Sequence, residues 1–92
     1  MGRKRQGNPE RIGQKVRDIR LKLELTQEGM FEALAAQGVN VHLGYVSLYE
    51  IGQRVPSLLV TLAYARVAGI STDLLIDDKL HLPESLPFNK RK

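Results

Sequence analysis

The 92-residue chain has no cysteine and no tryptophan, and its imidazoles are limited to His42 and His81. Without cysteine it can form no disulfide framework, cysteine nucleophile or cysteine-based zinc site, and two distant histidines make a poor metal site. It also lacks a Gly-rich phosphate loop and a nucleophile with an adjacent base. We therefore expect no metal, no cofactor and no enzymatic activity.

Long apolar runs are missing too, and the basic N-terminus is followed by no apolar stretch. These absences predict neither a membrane span nor a secretory signal, and they favour a cytoplasmic, nucleoid-associated protein. The apolar content of 42% and charged content of 26% are typical of a folded domain. A chain of this length accommodates one such domain.

Positive charge is unevenly distributed along the sequence. The formal net charge is +4, but residues 1–22 carry +6, residues 23–88 carry −5 and Lys90–Lys92 add +3. A basic protein is favoured as a nucleic-acid binder because Lys and Arg displace counterions from phosphate. Here the basicity belongs to two terminal segments and the first helix.

Apolar periodicity and capping residues predict five helices. Asn8 and Pro9 suit the start of the first, in which Ile12, Val16, Ile19 and Leu23 form one apolar stripe. Arg11, Lys15 and Lys22 lie on a neighbouring stripe. The other predicted helices run from Thr26 to about Ala36, from Tyr45 to Ile51, from Pro56 and Ser57 to Ala68, and from Thr72 to Ile76.

A helix, a connection and a second helix in the middle of such a domain is the plan of a helix-turn-helix. The residues that carry a family pattern are Ile12-Gly13 and Arg20, then Leu25-Thr26-Gln27-Glu28, Val46-Ser47, Tyr49-Glu50, Gly52, Arg54, Pro56-Ser57-Leu58 and Gly69-Ile70-Ser71 through Asp73 and Leu75. In this order and spacing the chain resembles the Xre-type, or Cro/lambda-repressor-like, regulators. The resemblance covers roughly residues 12 to 76 and implies an all-α, five-helix DNA-binding domain.

The resemblance assigns roles to three residues. Gln27, at the start of the second helix, is expected to contact a backbone phosphate, although an exposed polar residue in a first turn is also an ordinary finding. Arg20 and Glu50 occupy positions that pair in relatives, and we expect them to form a structural ion pair between the first and third helices. We expect a large effect of breaking the pair if it is buried and a small one if it is exposed.

The predicted recognition helix departs from the family pattern. The chain from Thr26 to Glu50 is about five residues longer than in a typical member, and the extra length falls in 37–43, within the turn. The residues expected to face the bases are Leu43, Gly44, Tyr45, Ser47 and Leu48, preceded by Asn40 and His42. None is a Lys, Arg or Gln, so we expect few hydrogen bonds from this helix to base edges. Asn40 alternatively favours a turn, and Tyr45 alternatively packs against the second helix.

Cations elsewhere can add to the binding of DNA. Arg3 and Arg5 form a basic arm that could enter a minor groove, Lys15 is expected to contact a phosphate, and Arg54 is expected either to contact a phosphate or to support Glu50. The alternative for both terminal segments is a solvated end of the chain. We divide the chain into a basic arm (1–8), a helix-turn-helix domain (9–77) and an irregular tail (78–92).

The sequence thus favours sequence-specific binding of double-stranded DNA by a transcriptional regulator, most simply a repressor. A homodimer is expected, because the fourth helix is apolar almost all round and Leu74, Leu75, Ile76, Leu80 and Leu82 add further apolar surface. The alternative to a dimer is a tail that folds back over the fourth helix. The alternative to DNA binding is a protein-interaction or antitoxin-type module, which the acidic middle of the chain favours.

Overall fold

The computed structural model describes residues 8–87, and in this range the chain forms five helices and no strand. The helices are α1 (Ile12–Lys22), α2 (Gln27–Ala36), α3 (Leu43–Glu50), α4 (Leu58–Ala68) and α5 (Asp73–Ile76). The all-helical class and the number of helices agree with the prediction. Arg3, Arg5 and the basic residues 90–92 lie outside the described range.

The core lies where α1, α2 and α3 meet α4 and α5. The apolar stripe predicted on α1 is buried along its whole length, from Ile12 to Leu23. The largest fully buried side chains come from all five helices, namely Val16, Ile19, Met30, Leu34, Val46, Tyr64 and Leu75. Burial of this apolar surface is the main driving force that assembles the five short helices, none of which would be stable alone.

All four longer helices end in the same way. After each, the chain turns through a left-handed residue, which is Gly38 after α2, Gly52 after α3 and Gly69 after α4. The turn after α3 shows the paired hydrogen bonds of a Schellman motif, from Gly52 N to Tyr49 O (3.2 Å) and from Gln53 N to Leu48 O (2.9 Å). After α1 the left-handed residue is Glu24, with φ of 60°.

The beginning of α1 differs from the prediction. The helix starts at Ile12 rather than near Pro9, and Asn8 does not cap it. Instead, the backbone N–H groups of Glu10 and Arg11 donate to the carboxylate of Asp78, at 2.9 and 3.0 Å. A side chain 67 residues further along the chain therefore accepts the hydrogen bonds that we expected Asn8 to accept.

The basic flank of α1 holds the segment that follows α5. Arg11 Nη1 donates to Asp78 O (2.7 Å), and Lys22 Nζ donates to Glu84 O (2.9 Å). Between them, Lys15 Nζ donates to Leu74 O (2.7 Å) and Asp77 O (2.9 Å). Asp78 is thus held near the start of α1 and Glu84 at its end, so the chain between them runs alongside α1 in the same direction.

Residues 77–87 contain no helix, as their prolines predicted, but they are part of the packed domain. Leu86 is buried and Leu82 packs against the core. The packed domain therefore extends past residue 77, where the sequence placed a boundary. The tail folds back onto the domain, but its hydrogen bonds join it to α1 and not to the fourth helix, over which the alternative to a dimer placed it.

The connection between α2 and α3 is the long turn that the sequence indicated. Gly38 reverses the chain with φ of 92°, and Val39 and Val41 then pack against the core. His42, in an extended conformation, precedes α3, which begins at Leu43 and not at Tyr45. The extra residues thus form an extended segment anchored by two valines. No helix in residues 8–87 is long and apolar enough to cross a bilayer.

Candidate nucleic-acid interface

Helix α3 lies against the domain by one face and is close to α1. Its Val46, Tyr49 and Glu50 are buried. Gly13 of α1 makes the close approach possible, because a Cβ built on it would lie 2.6 Å from the carbonyl oxygen of Tyr49. A helix held in this way presents its opposite face to solvent in a fixed orientation.

Arg20 and Glu50 form the expected ion pair. Arg20 Nε donates to Glu50 Oε2 at 2.7 Å and Arg20 Nη2 donates to Oε1 at 3.1 Å, which is a bidentate arrangement. The side chain of Glu50 is only 2% exposed, and that of Arg20 is 14% exposed. The hydrogen bonds that Arg20 donates to Glu50 raise the pKa of Arg20. The pair is therefore buried, and it fixes the C-terminal end of α3 to α1.

Gln27 and Leu25 complete this network. Gln27 Nε2 donates to Glu50 Oε1 at 3.1 Å, so the amide predicted to contact a phosphate is also used to hold the carboxylate. Arg20 Nη1 donates to Leu25 O at 3.0 Å, next to the N-terminus of α2. Three helices thus meet at Glu50, and the relative positions of α2 and α3 are set by a buried carboxylate.

The outward face of α3 consists mainly of small and apolar residues. Leu43 and Gly44 are exposed, Ser47 and Leu48 are half-buried, and Ile51 is 64% exposed just beyond the helix. Asn40 and His42 are exposed on the preceding segment. The predicted base-facing set therefore lies at the surface, and Ile51, which the sequence analysis did not include, belongs to the same face.

Tyr45 is the centre of an aromatic and cationic cluster on this surface. The guanidinium carbon of Arg54 lies 3.9 Å from the centroid of the Tyr45 ring, and the His42 ring lies 5.5 Å from it on centroids. The 3.9 Å distance from Arg54 to the Tyr45 ring is typical of a cation–π contact. Arg54 therefore stacks on Tyr45. Support of Glu50, one of the two roles expected for Arg54 from the sequence, is not what this contact provides.

Below Tyr45 the aromatic contacts continue into the core. Tyr45 and Tyr49 meet edge to face at 6.2 Å, and Tyr49 and Tyr64 do so at 6.3 Å. Tyr64 is completely buried, and burial raises its pKa. Within residues 8–87 its hydroxyl has no hydrogen-bond partner. We call His42, Tyr45, Tyr49 and Tyr64 the aromatic column.

Lys15 does not lie on this face. Only 2% of the residue is exposed, and its ammonium group donates to the two carbonyls at the end of α5. Burial, more than the nearby Arg11, lowers its pKa. The prediction that Lys15 contacts a phosphate is therefore corrected. Its periodicity placed it correctly beside the apolar stripe, but gave no sign that the segment after α5 would cover it.

The charge of the described residues is also informative. Residues 8–87 contain eight Lys and Arg against ten Asp and Glu, which is a net charge of −2. From Glu24 to Ala65, Arg54 is the single Lys or Arg in the sequence. The cationic groups of α1 that the sequence singled out are engaged with residues 74–84. Arg54 is thus an exposed cation in contact with α3 through Tyr45, whereas Arg20 is bound to the buried carboxylate of Glu50.

No protein-family model, curated protein or solved structure gives a significant match to this chain. The resemblance to Xre-type regulators accordingly stands on the motifs alone.

Proposed function

We propose that the protein is a transcriptional regulator of the Xre, or Cro/lambda-repressor-like, type that binds double-stranded DNA through α2 and α3. The supporting observation is the attachment of α3, which is fixed by Glu50 at one end and leaves a helical face exposed. An α-helix fits the major groove of B-DNA, and a rigidly held helix loses little freedom on binding. Gln27, in the first turn of α2, is hydrogen-bonded to Glu50 at the end of α3, and the N-terminus of α2 is where we expect a phosphate contact.

Sequence readout in this proposal depends on few groups. Asn40, His42, Tyr45 and Ser47 carry the side-chain polar atoms of the predicted base-facing set, and Leu43 and Leu48 offer contacts to a thymine methyl. Arg3 and Arg5 would add contacts to phosphate or to a narrow minor groove. Since the described residues have a net charge of −2, we expect the terminal basic residues to supply much of the electrostatic attraction.

A homodimer remains part of the proposal. Leu58 is 83% exposed and Leu59 is 67% exposed at the start of α4, so the described residues leave part of this apolar helix uncovered. Residues 55–65 contain no charged side chain, so two copies can meet there without opposing like charges. Light scattering coupled to size-exclusion chromatography tests this: Leu58→Lys should shift a dimer to a monomer, and a wild-type monomer at high micromolar concentration would contradict it.

A protein-interaction module is the second candidate. The exposed Leu43 and Ile51, together with the scarcity of cations between Glu24 and Ala65, favour it. An exposed apolar helix face is a common binding surface for another protein.

The experiment that separates the two candidates is binding to random and genomic DNA fragments over a salt series. A regulator should enrich particular fragments and lose affinity steeply as salt increases. Replacement of Asn40 or Ser47 by Ala should change which fragments are enriched, whereas Lys79→Ala, remote in sequence from this surface, should not. Weak and unselective binding at every salt concentration would support the interaction module and contradict the regulator.

A further inference from the structure

The backbone after α3 places Arg54 next to that helix. Gly52 has φ of 79°, and the N–H groups of Gln53 and Arg54 both donate to Leu48 O, at 2.9 and 3.3 Å. The chain therefore doubles back at the end of α3 instead of continuing away from it. This reversal brings the Arg54 side chain within reach of Tyr45, which lies one turn before Leu48 on α3.

The Tyr45 ring is held in place before Arg54 stacks on it. Tyr49 contacts one edge of the ring and is itself buried, and Tyr49 in turn rests on Tyr64 in the core. His42 packs beside the ring on the surface. Because Tyr49 and His42 both contact the Tyr45 ring, the surface that the ring offers to Arg54 has a defined position.

The stacked guanidinium keeps its hydrogen-bonding capacity. Stacking uses the flat face of the group, whereas the five N–H donors lie in its plane and point outward. Within residues 8–87 no hydrogen bond from these donors is formed, and Arg54 is exposed. A planar, immobilised group of donors is well suited to a phosphate, whose oxygens accept two parallel hydrogen bonds.

We infer that Tyr45 is a positioning residue that holds Arg54 for contact with a phosphate of the DNA backbone. Arg54 is the binding group and Tyr45 acts through it, because a side chain already fixed on a ring loses less freedom when it binds. This inference rests on the proposed function and specifies how its surface engages DNA. It also gives Tyr45 a role other than the base contact expected from the sequence.

The test uses the full chain and a fluorescein-labelled duplex taken from the enriched fragments, with anisotropy measured from low to high salt. Each phosphate contact contributes about 0.9 to the slope of log K against log salt concentration. Arg54→Ala should therefore reduce the slope by roughly one and weaken binding roughly eightfold at 0.1 M salt. Arg66→Ala, an exposed arginine on α4 without a ring contact, controls for the loss of one positive charge.

Tyr45 is examined with two variants and one double variant. Tyr45→Leu should weaken binding several-fold, and Tyr45→Phe, which retains the ring face, should restore most of the affinity. In the Tyr45→Leu/Arg54→Ala double variant the loss should be little larger than for Arg54→Ala alone, because Tyr45 acts through Arg54. Circular dichroism melts establish that each variant is folded.

The outcomes separate the inference from the proposed function. If the wild type binds no duplex in dilute buffer, both are overturned. Suppose instead that the wild type binds DNA but Arg54→Ala gives the same slope of log K against log salt concentration. The inference is then wrong, although the proposed function is not contradicted. The same conclusion follows if the affinity losses of the two single variants add fully in the double variant. A ring-current shift of the Arg54 side-chain protons that disappears in Tyr45→Leu tests the stack itself without DNA.

Discussion

Gly13 on α1 and Tyr49 on α3 approach more closely than any other residue type at position 13 would allow. A Cβ atom there would lie 2.6 Å from the Tyr49 carbonyl oxygen, and that oxygen belongs to backbone that cannot rotate away. The crossing of α1 and α3 therefore depends on a missing methyl group. The position of α3 relative to the rest of the domain therefore depends on the absence of a side chain at Gly13.

Gly13→Ala is expected to destabilise the protein by about 1 to 3 kcal/mol, because the two helices must separate to admit the methyl group. Urea unfolding followed by circular dichroism measures the change. Gly44→Ala is the matched control: a Cβ at position 44 meets nothing within 4 Å, and alanine is the better helix former. Gly13→Ala should lower the free energy of unfolding and Gly44→Ala should raise it. A neutral Gly13→Ala would show that the helices pack further apart in solution.

Glu50→Gln is expected to cost about 3 to 5 kcal/mol, because it leaves the guanidinium of Arg20 without its buried carboxylate. Replacing both partners with apolar residues, as in Arg20→Met/Glu50→Leu, should cost less than the single change. Urea unfolding of the wild type, Arg20→Met, Glu50→Leu and the double variant gives the coupling energy of the pair. If Glu50→Gln lowers the free energy of unfolding by less than about 1 kcal/mol, the pair contributes no more than an exposed salt bridge does, and the argument from burial is wrong.

Glu24→Gly is expected to stabilise the protein by about 1 kcal/mol. Glu24 is the one non-glycine residue among the described residues with positive φ, and a side chain with a Cβ is strained in that conformation. Gly52→Ala provides the converse test, because a Cβ at position 52 has open space and any loss comes from backbone conformation alone. Equal midpoints of urea unfolding for Glu24→Gly and the wild type would refute the argument.

Tyr64→Phe is expected to leave stability unchanged or to raise it by up to about 1 kcal/mol, because the buried hydroxyl has no partner within residues 8–87. The raised pKa of Tyr64 also has a consequence for pH. The folded state keeps the phenolic proton when the unfolded chain loses it, so stability should fall as pH rises above about 10. Tyr64→Phe should flatten this decline, as measured by urea midpoints between neutral and alkaline pH. A destabilised Tyr64→Phe would reveal a hydrogen bond to the hydroxyl.

Asp78→Asn is expected to weaken the attachment of the C-terminal segment and to remove part of the acid sensitivity of the fold. The backbone N–H groups of Glu10 and Arg11 lower the pKa of Asp78. Its contribution to stability is therefore present above the ordinary carboxyl range near 4 and is lost as pH falls through the lowered value. Urea midpoints compared at neutral pH and near pH 3 should differ less in Asp78→Asn than in the wild type. An equal difference in both proteins would exclude Asp78 as a source of acid sensitivity.

Local patterns in the sequence predicted the number and approximate positions of the helices, but not where α1 and α3 begin. The stripe from Ile12 to Leu23 and the caps Thr26 and Ser57 indicate helices that the structure contains, and the glycines at 38, 52 and 69 mark where helices end. The start of α1 was wrong because its hydrogen-bond acceptor, Asp78, comes from the other end of the domain. Local patterns carry no information about such a partner.

The candidate site was predictable to a smaller extent. The Arg20–Glu50 pair followed from the family motif, and its burial and geometry are now established. Lys15 was misplaced and the stacking of Arg54 on Tyr45 was missed, because both depend on where the chain goes after a turn. The position of Gly52, nearly two helical turns beyond Tyr45, was a signal that could have suggested the reversal.

The aromatic column has a practical consequence for spectroscopy. The chain has no tryptophan, and its three tyrosines, Tyr45, Tyr49 and Tyr64, all belong to the column. Intrinsic tyrosine fluorescence therefore originates from three rings in successive contact, from the half-buried Tyr45 to the fully buried Tyr64. Tyrosine fluorescence of the unlabelled protein can therefore be used to follow both unfolding of the core around Tyr64 and binding of a ligand next to Tyr45.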